Sequence, residues 1–337
     1  MAAKKTQSLT LPFKTRVQVA LLGLVIDGVR RNNGTINRGV MKLFDRRVPA
    51  KPISSNSVSS HDVVFDPSNN LWFRLFVPHK ADIVASLPII VFFHGGGFSL
   101  LSAASSVYDA VCRRFARELK VVVCSVEYRL SPEQKFPSQY DDGFSVLKFL
   151  DKPHNRRDIP HWPGNADVST VFLAGDSAGA NLAHHLSVSY AKSSSSFSLL
   201  KLAGLINIQP FLGGKERVNS EVELEGMPIV SLERNDWMWK AFLPEGKDLD
   251  HWAVNVCGPN ALDIRGLELP PVLLFVGGFD PMKDRQKKYY EWLRRNDKDV
   301  KLVEYSDAIH AFYIFPQLPH ANLLMAEIKD FINKHKF

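Results

Sequence analysis

The sequence has few cysteines, and they follow no disulfide or metal-binding pattern. Its 337 residues include only three, Cys112, Cys124 and Cys257, an odd number at wide spacing. A disulfide framework and a cysteine metal cluster are therefore excluded, and we expect a reducing compartment, the cytoplasm, with the nucleus as the alternative. The remaining composition, 45% hydrophobic and 23% charged, is that of an ordinary globular chain with a sizeable core.

Long apolar runs are absent as well, which argues against a membrane anchor. The apolar stretch 17–26 follows several basic residues and superficially resembles a signal peptide, but charged residues follow it at once and no small-residue cleavage site is present. It also falls short of the ~20 residues that a spanning helix needs. We expect instead an amphipathic helix, Lys14 to Arg31, folded onto the protein. Its apolar face is predicted to comprise Val17, Ala20, Leu21, Leu24 and Val25.

Positive charge is concentrated at the start of the chain. The first 50 residues contain ten Lys or Arg and two Asp or Glu, whereas the other 287 contain 32 and 33. A basic segment can indicate nucleic-acid or membrane contact. Here the charges are interleaved with apolar residues and no nucleic-acid motif follows, so we expect no nucleic-acid partner and no stable membrane anchor.

Strand-like and helix-like segments alternate along most of the chain. A hairpin pattern at 62–77 precedes the fully apolar run Leu87 to Phe93, which is typical of a strand buried on both faces. The alternation predicts an α/β fold with a mostly parallel central sheet and helices on both faces. Residues 213–262 interrupt it and are predicted to be a cap insertion. We therefore expect an N-terminal helical segment, 1–55, and a main domain, 56–337.

A G-x-S-x-G motif, residues 175–179, lies between a short apolar strand and a helix-like stretch. This strand–turn–helix context is what makes the motif indicative of a nucleophilic serine. Glycine on both sides lets the backbone reverse sharply, so Ser177 projects from the turn at a helix N-terminus, where free N–H groups favour negative charge. The alternative interpretation is an ordinary turn between a buried strand and a helix.

A second glycine-rich turn, His94-Gly95-Gly96-Gly97, follows the apolar run 87–93. Loops of this type contribute N–H groups to the oxyanion hole of lipases and esterases, together with the N–H of the residue after the nucleophile. We therefore predict an oxyanion hole formed by Gly95, Gly96 and Ala178. His94 is interpreted as structural because it lies at the base of the loop.

A nucleophilic serine also needs a general base and an acid that orients the base. In chains with a G-x-S-x-G turn of this kind, the three residues follow one another in the order Ser, Asp or Glu, His, so we expect the acid and the base late in the chain. His310 follows a predicted strand, whereas its rival His320 begins the last helix. Asp280 also follows a predicted strand, and its rival Asp284 begins the next helix. The predicted catalytic residues are therefore Ser177, Asp280 and His310.

With these residues identified, the chain resembles the plant carboxylesterases of the hormone-sensitive-lipase-like group of α/β-hydrolases. The resemblance covers nearly the whole chain, with small departures at Glu127 and Ser131. It implies an α/β-hydrolase fold. The segments that carry it are 94–98, 127–133, 136–142, 175–179, 278–280 and 310–312.

The N-terminal part also resembles the related gibberellin receptors, through segments 33–38 and 44–50. The receptors' N-terminal helices close over the pocket, which implies a lid for Lys14 to Arg31. The receptors replace the triad histidine and one oxyanion-loop glycine. This chain retains His310 and Gly97, so the resemblance favours an enzyme.

We therefore expect a serine carboxylesterase that acts on a small-molecule ester and needs no metal or other cofactor. Three alternatives remain open: a gibberellin-receptor-like binding protein, a dehydratase or lyase that uses the same site, and a membrane-associated lipase. Five aromatic residues are candidates for the substrate pocket, with plain core packing as the alternative interpretation. They are Phe98, Trp237, Trp239, Phe242 and Phe312.

Overall fold

An eight-stranded sheet organises the chain in the computed structural model, which describes residues 9–53, 57–79 and 86–336. The strands, numbered β1 to β8 in chain order, are Val58–Asp66, Leu71–Pro78, Leu87–Phe93, Val122–Glu127, Ala166–Asp176, Leu202–Ile208, Val272–Phe279 and Val300–Ile309. Their order in the sheet is β1-β2-β4-β3-β5-β6-β7-β8. β1 and β2 form the antiparallel hairpin at one edge, β2 pairs antiparallel with β4, and the remaining pairs are parallel.

The apolar run of β3 lies in the middle of the sheet. Residues 89–93 pair in parallel with 122–126 of β4 on one side and with 171–175 of β5 on the other. Every residue of β3 is buried. A strand covered by helices on both faces has no polar side, which explains why its sequence does not alternate.

Helices cover both faces of the sheet, which confirms the predicted fold class. Alternate strand residues point to opposite faces: Ile89 and Val91 pack in one core, and Ile90 and Phe92 in the other. The ten α-helices of the described ranges are Phe13–Val29, Arg38–Phe44, Ser106–Leu119, Ser138–Asp151, Pro153–Arg157, Ala178–Lys192, Asn219–Glu223, Leu232–Phe242, Lys283–Arg295 and Pro319–His335, numbered α1 to α10. The first core includes α4, α6 and α9, and the second includes α3 and α10.

The predicted N-terminal helix is present as α1, but it packs through a different face from the one expected. Its buried residues are Thr15, Val19, Gly23, Ile26 and Val29. Four of the five residues of the expected face are exposed instead: Val17 at 42%, Leu21 at 57%, Leu24 at 69%, and Ala20.

The error has a physical cause, because α1 is apolar around most of its circumference. Periodicity alone cannot then distinguish the packed side from the solvent side. Residues 1–8 and 54–56 of the predicted N-terminal segment lie outside the described residues. No helix of the described ranges is both long enough and apolar enough to cross a membrane.

The segment between β6 and β7 contains the two helices α7 and α8. It departs from the strand–helix alternation where the sequence predicted an insertion, at 213–262. The segment leaves the sheet at the end of β6 and returns to it at the start of β7, and these two strands are direct neighbours in the sheet. Together with α1, it lies against the end of the sheet where the candidate residues are found.

Candidate active site

Five functional segments follow the carboxyl ends of parallel strands. The glycine-rich loop follows β3, Ser177 follows β5, and Gln209 follows β6. Asp280 and His310 follow β7 and β8 in the same way. Because parallel strands end at one edge of the sheet, segments that are distant in the chain meet there, which is where open α/β sheets bind ligands.

Ser177 sits on a sharp turn between β5 and α6. Its backbone has φ 52° and ψ −118°, a region that non-glycine residues rarely occupy. The turn requires glycine on both sides: a Cβ at Gly175 would lie 2.3 Å from the carbonyl carbon of Gly179, and one at Gly179 would lie 1.9 Å from the oxygen of Phe93. The Ser177 N–H donates to the Ile208 oxygen at 2.9 Å, which fixes the turn to β6.

The structure brings Asp280 and His310 into direct contact. Nδ1 of His310 lies 2.8 Å from Oδ2 of Asp280, and both side chains are buried. Because a carboxylate accepts, the Nδ1–H donates, which leaves the Nε2 lone pair available as a base. Burial lowers the pKa of His310, whereas the nearby carboxylates of Asp280 and Asp176 raise it. The effect of the carboxylates is the larger in sum, so the pKa of His310 lies above its ordinary value.

Two glutamines that the sequence analysis missed hold Asp280 in place. Gln209 Nε2 donates to Oδ2 of Asp280 at 3.1 Å, and Gln286 Nε2 donates to the same oxygen at 3.0 Å. The other oxygen accepts the N–H of Met282 at 2.9 Å. Gln209 Oε1 also accepts from the N–H of Ala311 at 2.8 Å, so this side chain connects Asp280 to the loop that contains His310. Its position directly after β6 is the signal that could have identified it.

The rival residues lie elsewhere. Asp284 accepts from the N–H of Ser220 at 2.9 Å, which attaches α9 to α7. His320 pairs with Asp307 at 3.0 Å. His94 is fully buried, and its ring stacks on Tyr128 with centroids 4.3 Å apart. None of these three residues lines the cavity that contains Ser177 and His310.

The glycine-rich loop differs from the sequence prediction in one donor. The Gly95 N–H donates to the Tyr108 hydroxyl at 2.8 Å and is therefore already engaged. Gly96 and Gly97 line the cavity, and within the described ranges their N–H groups have no hydrogen-bond acceptor. The Ala178 N–H precedes the first hydrogen bonds of α6, in which the N–H groups of Ala180 and Asn181 donate to the Ser177 oxygen at 3.1 Å. The free donors are thus those of Gly96, Gly97 and Ala178.

Ser177 and His310 line one cavity, whose empty space is about 740 Å³ with the open solvent at its mouth included. We call it the catalytic cavity. Its walls are mostly aliphatic and come from α1, α2, the oxyanion loop and the segment around α8. The apolar residues among them are Leu22, Val25, Ile26, Met41, Leu100, Leu101, Phe211, Ile229, Val230, Met238, Ala311 and Ile314.

None of the five aromatic candidates lines this cavity, so their assignment to the substrate pocket was wrong. Phe98 stacks on Phe242 at 4.2 Å, and Trp239 stacks on Phe211 at 4.0 Å. Phe312 is fully buried beside Tyr305, and Trp237 Nε1 donates to the Arg31 oxygen at 3.1 Å. Large rings fill the space between cap and sheet, whereas smaller aliphatic side chains leave the cavity open.

A second buried carboxylate, Asp176, lies next to Ser177 in the chain and lines the cavity. The Tyr108 hydroxyl donates to its Oδ2 at 3.0 Å and accepts from the Gly95 N–H, so the carboxylate supports the oxyanion loop through one phenol. Burial raises the pKa of Asp176 to about 6, against the opposing effects of Tyr108 and His310. Asp176 in turn raises the pKa of His310.

Replacing Asp176 with asparagine is expected to shift the acid limb of the pH–activity profile to lower pH. The catalytic base works only when neutral, so activity is lost as the pH falls through the pKa of His310. Removing one of the two carboxylates that raise this pKa moves the loss downward. The measurement is kcat/KM against pH for both proteins, and an unchanged midpoint would contradict the assigned coupling.

Comparison with known proteins adds family context to this geometry. Residues 90–314 match the family described as the α/β hydrolase fold. The chain is 37% identical to gibberellin receptor GID1C of Arabidopsis thaliana, over 96% of this chain and 94% of that protein. It is 34% identical to carboxylesterase 20 of Arabidopsis thaliana, over 90% and 94%. Among solved structures, an α/β hydrolase enzyme from the metagenome of Lake Arreo superposes with a TM-score of 0.75 at 25% identity, over 98% and 99%.

Proposed function

The chain belongs to the α/β-hydrolase-fold family, and from this premise we propose that it is a serine carboxylesterase that hydrolyses small-molecule carboxylic esters. One observation carries the proposal. His310 Nδ1 lies 2.8 Å from Asp280 Oδ2, and His310 lines the same cavity as Ser177. The similarity to carboxylesterase 20 supports ester hydrolysis at the level of the family.

The proposed mechanism begins with proton transfer. His310 Nε2 accepts the hydroxyl proton of Ser177 as Oγ attacks the ester carbonyl carbon. Asp280 holds the imidazole and stabilises its cation. The carbonyl oxygen becomes an oxyanion that the N–H groups of Gly96, Gly97 and Ala178 bind. Each such donor typically stabilises the transition state by ~2.7–4 kcal/mol.

The tetrahedral intermediate then collapses, and the alkoxide leaves with the proton from His310. The acyl group stays on Ser177 until water, deprotonated by the same histidine, attacks it and releases the carboxylic acid. All the groups in these steps belong to the protein, so the proposal needs no cofactor. We place the enzyme in the cytoplasm, with the nucleus as the alternative.

The test combines turnover with labelling of the nucleophile. The wild-type protein is expected to hydrolyse p-nitrophenyl butyrate and to gain the mass of one fluorophosphonate adduct. Ser177→Ala should lose both, because it removes the only atom to which the acyl group is attached. Absence of turnover and adduct in the wild type would eliminate the esterase proposal, and turnover without an adduct on Ser177 would show that another group is the nucleophile.

A second candidate is a receptor-like protein that binds a small molecule under its lid. The similarity to gibberellin receptor GID1C favours it, and so does the contribution of α1 and α2 to the cavity. Calorimetry with a gibberellin discriminates between the two candidates. Binding without ester turnover favours the receptor, whereas turnover without binding favours the esterase.

A further inference from the structure

A second cavity lies directly behind the catalytic cavity. This outer cavity has a volume of about 980 Å³, open solvent included, and lies between α1 and the loop that precedes α8. Apolar side chains form much of its wall, among them Val19, Leu24 and Met227. Within the described ranges it shares two lining residues with the catalytic cavity, Ile229 and Arg234. These two side chains therefore form the partition between the cavities.

Arg234 is the fixed half of this partition. Its guanidinium makes a two-pronged contact with Asp27 of α1, with Nε at 2.8 Å from Oδ1 and Nη2 at 2.6 Å from Oδ2. α1 makes room for it at Gly23, where a Cβ would lie 3.0 Å from Nη2. A paired carboxylate and guanidinium hold each other in one geometry, so this side of the partition stays in place.

Ile229 is the removable half. It is partly buried, and its side chain is a hydrocarbon without hydrogen-bonding groups, so only packing holds it in place. Its backbone has φ 73°, in the left-handed region that a β-branched residue avoids. Gly226, three residues earlier, also has a positive φ of 82°. A conformation of this kind persists where its surroundings impose it, and such positions cluster at functional sites.

We propose that Ile229 determines the length of the ester chain that the site accepts. The inference rests on the proposed esterase function and specifies its substrate class: an ester whose apolar chain ends at Ile229. A longer chain would have to pass this side chain and continue into the apolar outer cavity. Shortening Ile229 therefore joins the two cavities and admits longer chains.

The test compares Ile229→Ala with Ile314→Ala, the same truncation at a residue that lines only the catalytic cavity. Rates are measured for p-nitrophenyl esters from butyrate to dodecanoate, which vary the acyl chain, and for acetates of alcohols from butanol to dodecanol. In one of the two series, Ile229→Ala is expected to raise the ratio of kcat/KM for ten-carbon over four-carbon chains at least about tenfold, since each newly buried methylene contributes about fourfold. Ile314→Ala should leave both ratios within about threefold of wild type.

Unchanged ratios in both series for Ile229→Ala would overturn the proposal, and so would an equal rise in Ile314→Ala. Ile229→Gly provides a second variant if the first folds poorly, because the left-handed backbone suits glycine.

Binding separates this inference from the esterase proposal. Decanoate, for the acyl chain, and 1-decanol, for the alcohol chain, are titrated calorimetrically into proteins that carry Ser177→Ala, so that no turnover is needed. Adding Ile229→Ala should tighten the binding of one of these two ligands at least about tenfold, and adding Ile314→Ala should not. If the wild type shows neither ester turnover nor labelling, but this difference in binding is found, the esterase function is wrong and the partition stands. No difference with either ligand overturns the partition whatever the esterase assays show.

Discussion

Asp280→Asn is expected to lower kcat/KM for p-nitrophenyl butyrate by about 10⁴, the loss that follows when a triad acid becomes an amide. The carboxylate of Asp280 accepts from His310, Gln209, Gln286 and the N–H of Met282. An amide of the same shape has one acceptor oxygen, so its NH₂ group must face groups that are themselves donors or force His310 into the other tautomer. Nε2 would then carry the proton and could no longer take one from Ser177.

The matched control is Asp284→Asn, four residues along the chain. Asp284 bonds to Ser220 and is not in contact with His310, so kcat/KM should stay within a few-fold of wild type. Thermal unfolding of both variants shows whether each is folded when assayed. A large loss of activity in Asp284→Asn together with a small one in Asp280→Asn would reverse the assignment of the acid.

Gly179→Ala is expected to destabilise the protein by more than about 4 kcal/mol, the range reached when buried atoms are forced together. The new Cβ would lie 1.9 Å from the oxygen of Phe93 and 2.8 Å from that of His94. Both oxygens belong to the backbone at the end of β3, which is paired on both sides, so neither can move away by a side-chain rotation. Urea unfolding measures the loss, and the yield of folded protein should fall with it.

Gly28→Ala serves as the control, because it adds the same methyl group to α1 where nothing lies within 4 Å. Alanine is the better helix former, so this variant should gain about 0.5–1 kcal/mol. If Gly179→Ala unfolds at the same urea concentration as wild type, then the close approach of the turn to β3 is not a constraint on the sequence.

Most of the strands, the nucleophile turn and the acid–base contact could be predicted because they depend on local pattern. Val171 to Ala174 is apolar and the following glycines mark a turn whatever surrounds them. Asp280 and His310 could be identified because each directly follows a strand, and ends of parallel strands meet. These signals are contained in a few consecutive residues.

The predictions that failed depend on which surfaces meet in three dimensions. The apolar circumference of α1 did not indicate which side packs, and the size of Phe98 or Trp239 did not indicate whether a ring fills a gap or borders a cavity. The engagement of Gly95 depends on the Tyr108 hydroxyl, which comes from a helix 13 residues later in the chain. Gln286 was missed for the same reason, since nothing in its neighbours indicates a bond to Asp280.

The reacting groups and the walls of the catalytic cavity come from different parts of the chain. Ser177, Asp280 and His310 stand at strand ends, whereas Leu22, Met41 and the residues around α8 belong to segments added before the sheet and between two of its strands. Exchanging those two segments between relatives is therefore expected to change the walls of the cavity and to leave the three strand-end side chains in place. Ligand selectivity can thus diverge between gene duplicates while Ser177, Asp280 and His310 pass unaltered from one descendant to the next.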